Sequence, residues 1–84
     1  MKLDLKKGDV VRSLAGHDKG GLFVVLDVID GEYVTIADGR TRTLEKPKKK
    51  KRKHLKAIPA FCMETIASAQ LLNADLKKFL KACE

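Results

Sequence analysis

Eighty-four residues are enough for one small domain and too few for two independent cores. A hydrophobic fraction of 44% is too high for wholesale disorder, and no apolar run approaches the roughly 20 residues of a membrane helix. The formal net charge of +7 is concentrated in one place: residues 1–45 carry seven Lys/Arg against eight Asp/Glu, residues 46–56 carry eight basic residues and no acid, and residues 57–84 carry three of each.

The chain opens on "MKLDLKKGD", which has no apolar h-region and does not read as a secretion signal. The expected compartment is therefore the cytoplasm. "DVVRSL", residues 9–14, reads as a first strand. A polar loop follows in which Gly16, His17, Asp18, Lys19, Gly20 and Gly21 are consecutive. Glycines there allow positive φ and close approach of a partner, so bare backbone N–H groups would be offered to phosphate oxygens beside Lys19. The plainer alternative is a tight strand connection without a ligand. A nucleotide-cradling P-loop is excluded, because Leu22 stands where that motif needs lysine and a strand follows instead of a helix.

"LFVVLDVI", residues 22–29, is apolar on both alternating faces except for Asp27, so something must cover each face. Asp30-Gly31 and Asp38-Gly39 then read as type I′ hairpin turns, which predicts further strands over 32–37 and 40–45 in an antiparallel meander. On the last of these, Arg40 and Arg42 leave one face. They suit phosphate recognition through the guanidinium fork, or exposed pairing with Glu45 or Glu32.

"KPKKKKRKHLK", residues 46–56, is too densely charged to join a core and reads as a solvated, mobile arm. The same eight charges are what counterion release demands of a polyanion ligand; neutralising about six phosphates would give a log–log salt slope of roughly −5. "PKKKKRK" also has the look of a nuclear localisation signal. Beyond it, Pro59 suits the first position of a helix over roughly 60–70, with Phe61, Met63, Ile66 and Ala67 as its apolar contacts. Asn73 suits an N-cap, and Leu72, Leu76, Phe79, Leu80 and Cys83 recur at helical spacing while Lys77, Lys78 and Lys81 face outward. This helix is expected to dock on its own domain.

Catalytic chemistry finds little support. Asp18 beside Lys19 is an ordinary turn pairing, and no Ser/His/Asp or Cys/His set is in plausible proximity. His17 reads as polar loop filler or a ligand contact, and His54 as a backbone hydrogen-bonding group. Cys62 and Cys83 lack metal spacing and are expected as half-buried thiols. Tyr33 is the only tyrosine and tryptophan is absent, so structured RNA suits the chain better than a single strand stacked on successive aromatics.

"GDVVRSLAGHDKGGLFVV", residues 8–25, resembles the KOW motif of RNA-associated proteins, and "VTIADGRTRTLEKPKKKKRKHL", residues 34–55, resembles the later half of ribosomal large-subunit proteins with a KOW-containing SH3-like barrel. The short bacterial KOW-domain RNA-binding proteins look closest. Phe23 stands where a typical KOW motif has another glycine, a position at which the ribosomal subgroup also has a bulky residue.

The resemblance implies a mainly β fold: a small SH3-like antiparallel barrel of KOW type over residues 1–56, including a basic arm at 46–56, with one or two C-terminal α-helices over 57–84 packed on it. It implies a non-catalytic, cofactor-free protein, monomeric when free, that contacts structured ribosomal RNA. The expected contacts are Gly16, His17, Asp18, Lys19, Gly20, Gly21, Arg40, Arg42, Lys48, Lys49, Lys50, Lys51, Arg52 and Lys53. Ribosomal proteins are possible further partners, and no membrane is. The alternative is an adaptor that docks a ribosomal or transcription protein, the basic run being incidental or a nuclear localisation signal.

Overall fold

In the computed structural model, which describes residues 5–61 and 72–83, strands form where β-branched and aromatic residues concentrate. β1 (Asp9–Ser13), β2 (Leu22–Val28) and β3 (Tyr33–Ala37) lead to β4 (Lys48–Lys51), a 3₁₀ turn (Arg52–His54), β5 (Leu55–Phe61) and helix α1 (Asn73–Cys83). The strands are antiparallel in one sheet of order β4-β3-β2-β1-β5. Leu5, Val11, Phe23, Val25, Val34, Ile36 and Leu55 form one buried cluster. It unites β3 with β5, which lie three places apart in the sheet, so the sheet curls around its own inner face. This mainly β domain, closed by α1, is consistent with a small SH3-like barrel.

The second apolar face of β2 is covered as its pattern requires. Leu22 and Val24 pack with Val10, Ala37 and the buried Leu76 and Leu80 of α1, with Phe79 and Cys83 partly buried at the margin. Each of the two buried leucines contributes up to about 1.5–3 kcal/mol of apolar burial. Leu72 lies off the stripe, 62% exposed. Asn73 does not act as a simple N-cap: its side-chain oxygen accepts the Leu44 N–H at 2.8 Å, and its Nδ2 donates to Glu45 at 2.8 Å. The residue bolts the helix to the segment before β4.

Asp27 escapes the interior by a β-bulge. Val25 pairs with Ile36 but Asp27 pairs with Thr35, so Leu26 is an extra residue. Strict alternation would turn Asp27 inward with Phe23 and Val25; the extra residue turns it out to solvent.

Several expectations need correction. Neither Asp-Gly pair is a type I′ turn, since that turn needs positive φ at both central residues and only Gly39, of these four, has it. Instead the aspartates capture nearby N–H groups. Asp30 Oδ1 accepts from Glu32 and Tyr33, and Asp38 Oδ1 accepts from Arg40 and Arg42. Residues 40–45 are accordingly not a strand. The N–H groups of Arg40, Arg42 and Leu44, which a ladder would use, are bound by Asp38 and Asn73. The fourth strand is formed by the basic run itself, and the expected mobile arm over 46–56 is instead β4, the 3₁₀ turn and the start of β5. β5 crosses the expected boundary at residue 56, and Pro59 lies within it, on the strand at the sheet's margin where a missing N–H is tolerated. Of the helix expected over 60–70, Ala60 and Phe61 end β5; the remainder, with Cys62, lies outside the described residues. Among the described residues no helix is long and apolar enough to cross a membrane.

Candidate functional site

β4 pairs with β3 in the register Tyr33↔Lys51, Val34↔Lys50, Thr35↔Lys49 and Ile36↔Lys48. Directly paired residues share a face, so the four lysines divide. Lys48 and Lys50 lie on the face of the buried Val34 and Ile36, whereas Lys49 and Lys51 lie on the face of Tyr33.

The inward pair meets Asp18. Its Oδ1 accepts hydrogen bonds from Lys50 Nζ at 2.9 Å and from Ser13 Oγ at 3.0 Å, and its Oδ2 accepts from Lys48 Nζ at 3.2 Å. Lys50 Nζ also donates to the Ala15 carbonyl at 2.8 Å. The Asp18 side chain is 10% exposed, Lys50 7% and Lys48 27%. Burial alone would raise the Asp18 pKa, but the hydrogen bonds from Lys50, Ser13 and Lys48, together with the charge of Lys50, outweigh it. They hold the carboxyl well below the ordinary carboxylate range. This cluster ties the β1–β2 loop to the edge strand β4. It is a structural clamp, and it turns Asp18, Lys48 and Lys50 away from a ligand surface.

The loop itself is internally bonded. Gly16 and Gly20 have φ of +84° and +90°, which lets the chain fold back on itself. The N–H of Lys19 donates to Gly16 O, that of Gly20 to Ser13 O and that of Gly21 to Asp18 O. The N–H groups of Gly20 and Gly21, expected to face phosphates, are therefore already bonded to the chain's own carbonyls. Its outward offering is the exposed side chains of His17 and Lys19.

Lys49 sits over the Tyr33 ring with Nζ 4.5 Å from the centroid, and Lys51 lies 5.9 Å from the same ring. Lys53 is exposed, and Arg52 is partly buried, its N–H donating to Glu32 O at 2.8 Å. Arg40 is exposed and Arg42 half-buried in the turn organised by Asp38. They are not alternate residues of a strand, and the inferred common face does not exist. Arg40 instead joins Lys77 and Lys81 of α1 around one cleft. The i,i+4 spacing of those two lysines marked a shared helix side, but their convergence with Arg40 depends on a long-range contact that sequence spacing does not encode.

The arrangement leaves an outward cationic strip of Lys49, Lys51 and Lys53; Lys19 is exposed separately on the β1–β2 loop. The strip carries fixed positive charge suited to a polyanion, and Tyr33 offers one aromatic ring beside it. No protein-family model matches the chain, and no curated protein matches it.

Proposed function

We propose that this protein is a non-catalytic RNA-binding module of KOW type that engages structured ribosomal RNA in the cytoplasm, as a ribosomal or ribosome-associated protein. The observation that carries the reading is the placement of the basic run on an ordered edge strand. Strand alternation turns Lys48 and Lys50 inward to Asp18 and leaves Lys49 and Lys51 outward, continuous in sequence with Lys53. A fixed row of ammonium groups contacts a phosphate backbone without reading its sequence. Structured RNA, recognised through phosphates, 2′-hydroxyls and shape, matches a surface with one aromatic ring. The pattern of residues 8–25 and 34–55 supports the same reading.

The division of the lysines lowers the number of phosphates engaged. Three side chains, Lys49, Lys51 and Lys53, give a log–log salt slope of about −3. Filter binding of ribosomal RNA across a salt series measures it directly. Saturable binding with that slope supports the reading, and an absence of binding even at low ionic strength overturns it.

A further inference from the structure

The cleft between the turn at 38–42 and α1 lies outside the strip just described. It encloses about 510 Å³, a volume in the range of small-ligand sites. Arg40 stands on one wall and Lys77 and Lys81 on the other, with Leu22 and Leu80 forming an apolar base. Among the described residues none of the three cations makes an ion pair. Among the described lining residues the one carboxylate is Asp38, whose Oδ1 accepts from the Arg40 and Arg42 N–H groups and whose Oδ2 accepts from Thr41 Oγ1 at 3.1 Å.

The walls are held in place by covalently remote contacts. A Cβ at Gly39 would overlap the Asn73 carbonyl oxygen and lie 3.2 Å from the Lys77 nitrogen, so turn and helix touch backbone to backbone. The Asn73 bonds to Leu44 and Glu45 fix the same junction. Among the described lining residues three cations thus stand against one carboxylate, an excess of positive charge that favours an anion in the cleft.

We propose that this cleft seats one nucleotide, its phosphate among Arg40, Lys77 and Lys81 and its sugar or base against Leu22 and Leu80. The phosphate ester comes either from a free nucleotide or from a strand bound at the neighbouring surface; only the second source rests on the RNA-binding reading.

The test uses the intact, isotope-labelled chain in amide NMR. Adenosine monophosphate should shift the Gly21, Leu22, Arg40, Lys77 and Lys81 signals saturably, and uncharged adenosine should not. A variant combining Arg40→Gln, Lys77→Gln and Lys81→Gln, checked for an unchanged spectrum elsewhere, should bind the nucleotide at least about tenfold more weakly. In a second arm, its RNA affinity is measured by filter binding. Unchanged RNA affinity with lost nucleotide binding assigns the cleft to a free nucleotide, and a joint loss assigns it to the strand. Nucleotide shifts spread equally over Lys49–Lys53, or no shifts together with unchanged RNA affinity of the variant, overturn the proposal. Should the protein ignore RNA altogether, the function proposed above fails while the wild-type nucleotide titration still decides this one.

Discussion

Replacing Asp18 by Asn isolates the clamp that joins the β1–β2 loop to β4. The substitution keeps size and leaves Oδ1 as an acceptor for Ser13 Oγ and Lys50 Nζ, but it removes the countercharge of Lys50, 7% exposed, and puts an NH₂ donor where Lys48 Nζ had its acceptor. Breaking a buried ion pair from one side costs about 3–5 kcal/mol; the partial exposure of Lys48 places this case near 3. For a domain of this size that corresponds to a fall in Tm of roughly 12–24 °C, read by thermal or urea unfolding. Combining Asp18→Asn with Lys50→Met removes both charges, so the double variant should recover at least about 1 kcal/mol relative to the sum of the singles. The clamp also has a pH signature. Because the folded carboxyl titrates below its unfolded value, its contribution is complete above about pH 4 and is lost as pH falls further through the folded pKa. Asp18→Asn should therefore flatten the acid limb of the stability profile. A Tm change under about 4 °C, or strictly additive singles, refutes the clamp.

Neighbouring lysines should give opposite phenotypes. Lys49→Gln, Lys51→Gln and Lys53→Gln together should lower the RNA salt slope by about 3 while each changes stability by less than about 0.5 kcal/mol; Lys48→Gln with Lys50→Gln should instead lower Tm, as scanning calorimetry would show. Gly39→Ala meets both a φ of +80° and the Asn73 carbonyl. It should cost at least about 2 kcal/mol in urea unfolding and raise amide exchange in α1 before the strands.

How far the sequence speaks for the structure differs from one segment to the next. The first three strands and α1 were legible from local signals, β-branched residues in "DVVRS", "LFVVLDV" and "YVTIA" and the 3.6 period through Leu76 and Leu80. The two-sided cover on β2 followed from its unbroken apolar run. β4 was not legible, since four lysines have no hydrophobic period and their compatibility with an interior rests on Asp18, thirty and thirty-two residues away. The false strand at 40–45 had the right local pattern but lost its N–H groups to Asp38 and to Asn73, 29 residues from Leu44. The candidate site was legible to the same degree. The exposed cations were named from composition, whereas the inward turn of Asp18, Lys48 and Lys50 and the meeting of Arg40 with α1 are tertiary facts.

Repetition in β4 has one more consequence. Sliding a strand by a single position normally exposes what was hidden and hides what was exposed. Here residues 48–51 are identical, so a one-step slide merely exchanges which ammonium meets Asp18. Placement along the edge must come from the ends, where the bond from Arg52 N–H to Glu32 O pins the chain at one side and Pro47 interrupts it at the other. Sequence drift at the outward positions 49 and 51 can thus be absorbed without loss of shape, whereas the inward positions 48 and 50 and the flanks hold the alignment.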